Sequence, residues 1–217
     1  GALQEKGAYE DGRRQGAWKE YLPKGSVWRT VQYVEDQRQS EAAIACEAQG
    51  GTWTVDYQAL SEGCAKGFAA TKTGVWRTYH SDGALKTEVT YERDLKVGLF
   101  RGFHPDGALS RIGQYKNDVP LGTHYFFGPD GRQLGVSYVD ENGNGEWKAW
   151  HYSGKLYESG SYVNGKMEQT WKIFLETGLP KSETTYLAGV PQGLYREYYE
   201  TGELNVEGAY LNGQRNG

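Results

Sequence analysis

Strand-forming runs, in which aromatic and β-branched residues alternate with polar ones, recur along this chain with a period of 24 residues. Residues 75–81 form one such run, and alternation of this kind is typical of a strand with two different faces. The repeated units begin, with one unit shortened to 23 residues, at Gly74, Gly98, Gly122, Gly145, Gln169 and Gly193. Self-similarity at a fixed period indicates a repeat architecture, in which each unit stacks on its neighbours.

Three positions of the unit carry a ring. Two residues into the unit, the rings are Trp18, Trp76, Phe100, Trp147, Trp171 and Tyr195, with His124 as the exception. Five residues in, they are Tyr21, Tyr79, Phe103, Phe127, Trp150, Phe174 and Tyr198. Seventeen residues in, they are Tyr33, Tyr91, Tyr115, Tyr162, Tyr186 and Tyr210, with Tyr138 one residue early in the shortened unit.

Each unit is predicted to form one β-hairpin. Asp82-Gly83 lies between two strand-forming runs, and Asp-Gly favours a two-residue type I′ turn, which needs positive φ at both positions. A second turn, such as Asn164-Gly165, leads into the next hairpin, so the units predict an antiparallel meander. If positions are counted from zero at the first residue of each unit, residues whose positions sum to 17 then face each other across the hairpin.

This register is supported by two sets of facing residues. Opposite charges face each other in the pairs Arg77–Glu88, Lys172–Glu183 and Arg196–Glu207. A large ring faces a strand glycine in the pairs Phe100–Gly113, Trp147–Gly160 and Tyr195–Gly208. Charge pairs across a hairpin each stabilise it by about 0.2–1 kcal/mol, and a ring over a glycine covers the backbone that the missing side chain exposes.

Two faces follow from the strand period of two. One face is predicted to be packed and carries the Trp/Phe positions, the unit tyrosines and Leu85, Leu109, Leu156 and Leu204. The other carries the charge pairs and an aromatic row, whose candidate binding residues are Tyr79, Phe103, Phe127, Trp150, Phe174 and Tyr198. The rings of this row either cover their own strands or form a platform for a ligand or partner, and both interpretations stay open.

One insertion interrupts the array. The unit that begins at Gly16 is followed by the next only at Gly74, so residues 40–73 lie between repeats at about 7–39 and 74–217. A short helix is predicted over 35–49, capped by Asp36 or Ser40 and ended by Gly50-Gly51. The insertion is either a specific contact element or a plug that caps the sheet face. The predicted fold is therefore all-β: a single elongated, twisted, single-layer antiparallel meander of hairpins with one small helix-containing insertion.

Cys46 and Cys64, the two cysteines of the chain, both lie in this insertion. Their position in one small, loop-rich segment predicts a disulfide between them. The alternative is two free, buried thiols in a cytosolic protein. The bond would indicate an oxidising compartment, and so an exported protein, periplasmic or at the cell surface.

The unit pattern Gly-x-Trp-Lys/Arg-x-Tyr/Phe-x-x-x-Gly-x-Leu…Tyr-x-Asn-Gly resembles the bacterial variant of the MORN repeat. It is clearest in GEWKAWHYSGKLYESGSYVNGK, residues 145–166, and in residues 193–213. The resemblance implies an elongated single-layer array of hairpins that acts mostly as a scaffold for protein contacts. Some members are credited with phospholipid binding and some bacterial ones carry an antitoxin label, but no catalytic residues come with the repeat.

Composition narrows the classes of function. The formal net charge of −4 disfavours binding to nucleic acid through bulk charge. No run of about 18 apolar residues indicates a membrane span. The chain lacks an initiator Met and is expected to be processed or trimmed, so the absence of a leader carries little information. The histidines at 80, 104, 124 and 151 fit packing better than metal binding, and no nucleophile or phosphate motif is present.

These observations predict a non-enzymatic scaffold that binds another protein, in the bacterial cell envelope, with no cofactor and no metal. The first alternative is binding of carbohydrate or cell wall through the aromatic row. The second is a cytosolic antitoxin-like partner. Nucleic acid is not expected as a partner, and membrane association is expected only through a removed anchor.

Overall fold

The computed structural model describes residues 4–67 and 69–216, which form two antiparallel sheets and one helix. Residues 1–3 and 217 of the predicted array, and Phe68 of the predicted insertion, lie outside the described residues. Strand order follows sequence order in both sheets, and the larger sheet does not close, so the predicted all-β meander of hairpins is confirmed. No helix among the described residues combines the length and apolar character that a membrane span needs.

The first sheet is built from β1 (Glu5–Glu10), β2 (Arg13–Tyr21), β3 (Val27–Val34) and β4 (Gln37–Arg38). The helix α1 (Glu41–Ala48) follows. The second sheet begins with β5 (Thr52–Asp56), β6 (Ser61–Lys66), β7 (Thr71–Tyr79), β8 (Leu85–Glu92) and β9 (Leu95–Phe103). It continues with β10 (Leu109–Lys116), β11 (Val119–Phe127), β12 (Gln133–Val139), β13 (Gly145–Trp150), β14 (Leu156–Val163), β15 (Lys166–Phe174), β16 (Pro180–Leu187), β17 (Val190–Tyr198), β18 (Leu204–Leu211) and β19 (Gln214–Asn216).

The chain divides into two compact units, which are larger than the 24-residue repeat units and are called the first unit and the second unit below. The first comprises Gly1–Ala108 with Lys116–Asp118, and the second comprises Leu109–Tyr115 with Val119–Gly217. The predicted insertion, 40–73, falls in the first unit, where it supplies α1 and the hairpin β5–β6 that starts the second sheet.

The three charge pairs that the register predicts are present in the structure. Arg77 lies opposite Glu88, with 2.8 Å between Nη2 and Oε2. In the second unit the pairs join into a ladder of alternating charge, because Glu183 contacts both Lys172 at 3.1 Å and Arg196 at 3.7 Å. Arg196 in turn contacts Glu207 at 2.7 Å. The ladder covers one face of β15–β18.

The predicted type of hairpin turn was wrong. In the turn after β7, the N–H of Gly83 donates to the carbonyl oxygen of His80, and positive φ occurs at Gly83 but not at Asp82. This is a type I turn followed by a left-handed glycine, which adds a bulge next to Tyr79. The type I′ geometry occurs instead at the second turn, where Asn164 and Gly165 both have positive φ.

The bulge at each hairpin tip also changes the predicted faces. Leu85 lies opposite Tyr79, Leu156 opposite Trp150 and Leu204 opposite Tyr198. Directly opposed residues share a face. These leucines therefore lie beside the aromatic row, and their predicted place on the packed face was wrong.

Contacts between neighbouring hairpins help to hold the packed face together. The ring of Trp171 covers Gly160 so closely that a Cβ there would lie 2.1 Å from it, and its Nε1–H donates to the carbonyl oxygen of Ser161 at 3.2 Å. Trp18 and Trp76 cover the glycines of their preceding strands in the same way. The sequence register placed Trp147 over Gly160, which it does face across the hairpin, but the covering ring comes from the next unit.

A bulge at the start of each regular unit makes this overlap possible. Between Ser159 and Ser161 on β14, the facing strand β15 contains two extra residues. The leading residue of the unit lies in this bulge with positive φ, as at Gly16, Gly74, Gly98, Gly122, Gln169 and Gly193. Gln169 adopts φ +59° although it has a Cβ, a conformation that costs non-glycine residues about 1–2 kcal/mol.

The first sheet joins the second through a buried ring of four charges. Glu20, whose exposed fraction is 0%, accepts from Arg29 Nε and Arg38 Nη1 at 2.5 Å each. Arg29 also makes a bidentate pair with Glu62, at 2.8 Å to each carboxylate oxygen, and Arg38 closes the ring at 3.4 Å. Burial acts to raise the pKa of Glu62, but the hydrogen bonds and charge of Arg29 outweigh it, so this pKa is lowered.

The insertion also contains the helix and the disulfide that were predicted from the sequence. α1 begins at its N-cap Ser40, whose hydroxyl accepts from the N–H of Ala43, so the helix is shorter than predicted. Residues Glu35 and Asp36 instead form a turn with positive φ between β3 and β4. Cys46 of α1 and Cys64 of β6 form the predicted disulfide. A Cβ on Gly51 would lie 2.5 Å from Cys64 Sγ, so this glycine is needed beside the bond.

We expect Gln169→Gly to raise the free energy of unfolding of the second unit by about 1 kcal/mol, because glycine adopts positive φ without the steric cost. The converse change, Gly193→Gln at the same position of the next unit, should lower it by a similar amount. Urea unfolding followed by circular dichroism measures both. Equal stability of the three proteins would show that the bulge conformation carries no strain.

Replacing Glu62 with Gln should lower the free energy of unfolding of the first unit by about 3–5 kcal/mol, because the buried Arg38 and the half-buried Arg29 would then share the one carboxylate of Glu20. The matched control is Glu88→Gln, which breaks a more exposed pair and should cost about 0–1 kcal/mol. In the wild type, the contribution of Glu62 should be complete above its usual pKa of 4.5 and decline as the pH falls below it. Urea unfolding at several pH values tests these expectations, and similar losses in both variants would contradict the role of the charge ring.

Candidate binding site

All six candidate side chains of the predicted aromatic row are half-buried. In the first unit, Tyr79 lies edge-on to Trp28 at 4.7 Å and donates its hydroxyl to Glu62, and burial with this bond raises its pKa to about 12. Phe103 lies in the same unit. In the second unit the row comprises Phe127, Trp150, Phe174 and Tyr198. Tyr79 therefore serves the contact between the two sheets, while the other five remain predicted binding residues.

Histidines at the hairpin tips link neighbouring hairpins. The Nε2 atom of His80 lies 2.9 Å from the carbonyl oxygen of Phe103, and that of His151 lies 3.0 Å from the carbonyl oxygen of Phe174. Within the part of the chain that the structure describes, no three His, Cys, Asp or Glu side chains are grouped so that they could hold a metal ion.

The shortened unit forms an irregular hairpin, comprising β11, β12 and the following turn, 140–144. Regular hairpins end in a two-residue turn and then a bulge, but here a five-residue turn leads directly into β13 without a change of register. Asp140 holds this turn by accepting from the N–H groups of Asn142 and Asn144 at 2.8 Å. Gly145, the leading residue of the next unit, accordingly lacks the positive φ of its counterparts. The missing residue thus removes the bulge.

Tyr138 lies on the charged face. Val139 lies opposite Gly122, the position that a unit tyrosine takes in regular hairpins, and Tyr138 lies opposite Thr123. Tyr138 is therefore not a shifted unit tyrosine, as the sequence suggested, because the deletion lies after it in the turn. Its side chain is 53% exposed.

Tyr138 completes an aromatic patch, which consists of Tyr125, Phe127, Val136 and Tyr138 and occupies this face of β11 and β12. Tyr125, 40% exposed, lies opposite Val136 and 6.4 Å from the ring of Phe127. In the unit that begins at Gly74, the same two positions hold the ion pair Arg77–Glu88. Tyr125 and Val136 thus replace the charge pair with an exposed ring and an aliphatic side chain.

The strand next to the patch is polar. Val136 lies opposite Lys148 and Tyr138 opposite Glu146, both on β13. Lys148 Nζ lies 3.4 Å from a carboxylate oxygen of Glu146. An exposed aromatic centre with a charged rim is the usual composition of a protein-binding surface.

On the opposite face, the irregular hairpin leaves a cavity of about 300 Å³. Its wall includes Phe126, Val139, Trp147 and Tyr162. Trp147 departs from the regular pose, because its Nε1–H donates to Glu158 at 2.7 Å instead of to a carbonyl of the preceding strand. The small Val139 and the turned indole together open this space.

His124 takes the place of the tryptophan in the irregular hairpin. Its ring covers Gly113, where a Cβ would lie 2.2 Å away, and its Nε2 lies 2.7 Å from the carbonyl oxygen of Gln114. Arg111 Nη2 lies 3.1 Å from His124 Nδ1. A carbonyl only accepts and a guanidinium only donates, so Nε2 carries the proton and the imidazole is neutral. Sequence patterns identified this exception to the tryptophan row but not its two partners.

Protonation of His124 should destabilise the second unit. Burial lowers its pKa below the usual 6.5, the charge of Arg111 adds to this effect, and the bond to Gln114 opposes it. The unfolded chain therefore binds the proton more readily, so stability is complete above pH 6.5 and falls below it, by at most about 1.4 kcal/mol per pH unit. Urea unfolding between about pH 5.5 and 7.5 should show this slope, which His124→Trp should remove and the control His151→Leu should retain. An unchanged slope in His124→Trp would contradict the assignment.

Comparison with known proteins identifies the repeat. No curated protein matches the chain. The family profile described as the MORN repeat variant matches residues 72–93, 96–117, 143–164 and 191–212, which are four of the hairpin units. These matches do not include the two strands of the irregular hairpin, β11 and β12. The chain therefore contains tandem repeats of the MORN repeat variant.

Proposed function

We propose that this chain is a scaffold without catalytic activity that binds a partner protein through the aromatic patch. MORN repeats are generally scaffolds that bind proteins or membranes, and the repeat is of a non-catalytic type. The observation that carries the proposal is the exposure of Tyr125, which stands where the hairpin at Gly74 has the arginine of an ion pair, together with that of Tyr138 on the same face. Tyrosine is enriched among the residues that contribute most to protein interfaces.

The ladder of charges supports this choice of surface. Lys172, Glu183, Arg196 and Glu207 neutralise one another along β15–β18, so this part of the face is well solvated and internally paired. Desolvating such pairs costs free energy that their contacts with a partner must recover. The aromatic patch has no such cost, since burying exposed apolar area stabilises by about 25 cal/mol per Å².

The proposed location is outside the cytoplasm, in the cell envelope of a bacterium. The disulfide between Cys46 and Cys64 supports this location, because disulfides persist in oxidising compartments and are rare in the cytosol. Alkylation of free thiols in intact source cells, followed by mass spectrometry, measures the state of the two cysteines. Two alkylated thiols would contradict export.

The binding proposal is tested by photo-crosslinking. A benzophenone amino acid in place of Tyr138 should form an adduct with a protein in the source cells, whereas the same group at Tyr199, also exposed in the second unit, should not. Adding Tyr125→Arg with Val136→Glu restores the ion pair of other hairpins and should reduce the adduct at least about tenfold. Since this pair occurs in regular units, the hairpin should keep its fold, which circular dichroism checks.

Two outcomes would overturn the proposal. An adduct of equal yield in the Tyr125→Arg/Val136→Glu protein would show that the patch does not bind the partner. Saturable quenching of Trp150 fluorescence by oligosaccharides, without any protein adduct, would favour carbohydrate binding by the aromatic row instead. Replacing Trp150 with Phe identifies the source of the quenching.

A further inference from the structure

The cavity behind the irregular hairpin has the composition of a small-molecule site. Its volume of about 300 Å³ lies at the lower end of the range for ligand pockets. Aromatic rings form much of the wall, and Phe126 and Trp147 meet edge-to-face at 5.1 Å. Val119, Pro120 and Val139 add aliphatic surface. A flat aromatic group is the ligand that such walls bury best.

One charged group lies at this wall. Among the lining residues that the structure describes, Arg111 alone carries a formal charge. Its guanidinium carbon lies 4.9 Å from the ring centre of Phe126, and its Nη2 donates to the hydroxyl of Tyr115 at 2.9 Å. Stacking and hydrogen bonding hold the guanidinium in place. A guanidinium matches the planar geometry of a carboxylate.

His124, which contacts Arg111, is neutral and does not add to the positive charge at the cavity. Because its Nδ1 accepts from Arg111, the imidazole is neutral and adds no second cation beside the cavity. Ser137 supplies a hydroxyl to the same wall. The polar groups of the cavity therefore suit one small anion.

We propose that the cavity binds a small aromatic carboxylate, with its ring against the wall formed by Phe126, Trp147 and Tyr162 and its carboxylate on Arg111. The geometry explains why regular hairpins would lack this site. Where they place a unit tyrosine, this hairpin has Val139, and a phenol ring at that position would occupy the cavity.

Isothermal titration calorimetry with 3-phenylpropionate tests the proposal on the whole chain. We expect saturable one-site binding. The matched ligand 3-phenylpropionamide, which has the same shape without the charge, should bind at least about tenfold more weakly. N-acetylglycyl-phenylalanine tests whether the carboxylate at the end of a peptide is accepted as well as the free acid. Absence of binding by both acids, or equal binding of acid and amide, would overturn the proposal.

Two variants locate the site. Val139→Tyr restores the side chain of the regular unit and should abolish binding by filling the cavity, and Val163→Tyr, at an exposed position in the same unit, is its control. Arg111→Gln should weaken the acid about tenfold but leave the amide unchanged. Should Val139→Tyr fail to fold by circular dichroism, the ratio of acid to amide in Arg111→Gln decides. An unchanged ratio, or full binding by folded Val139→Tyr, would show that the site lies elsewhere.

Discussion

The covering of a strand glycine by the ring of the next hairpin is the interaction on which the regular parts of this structure depend. Trp171 over Gly160 shows its elements: close ring-to-backbone contact, and a hydrogen bond from the indole to Ser161. The ring reaches its neighbour because a bulge with a left-handed residue precedes it. Glycine, tryptophan and bulge therefore form one device. A change to any of them alters how two hairpins meet, and not only one hairpin.

The irregular hairpin shows what happens when this device is altered. One missing residue exchanges the bulge for a longer turn. In the same hairpin Tyr138 lies on the charged face, and Val139 takes a tyrosine position on the packed face. The aromatic patch and the cavity therefore lie on opposite sides of the same strands.

Local rules in the sequence predicted much of this fold. The 24-residue period and cross-strand charge pairs, such as Arg77–Glu88, identified the meander and its register. The disulfide followed from the position of two cysteines in one short insertion. Tip geometry was not predictable from Asp82-Gly83, because a type I turn with a left-handed glycine keeps the same charge pairs in register as a type I′ turn.

Longer-range features could not be read from periodicity. The ring of four charges joins Glu20, Arg29 and Arg38 of the first sheet to Glu62 of the insertion. The repeat register pairs Glu20 with Arg29 but pairs neither of them with Glu62. One signal was available, since Glu20 occupies a position on the packed face where most units have small or apolar residues. The cavity depends on where the residue was lost. Loss before Tyr138 would place its ring on the packed face, whereas loss after Tyr138 leaves its ring on the charged face. Only the observed pairing decides between these two alternatives.

A strictly regular array has translational symmetry, so each repeat offers a partner the same surface as the repeat beside it. Such a surface binds at many equivalent positions and defines none of them. The irregular hairpin breaks this symmetry in the second unit. The five-residue turn that follows β12 restores regular pairing between β12 and β13. A single lost residue can thus give a uniform sheet a distinct position at which one partner binds in one register.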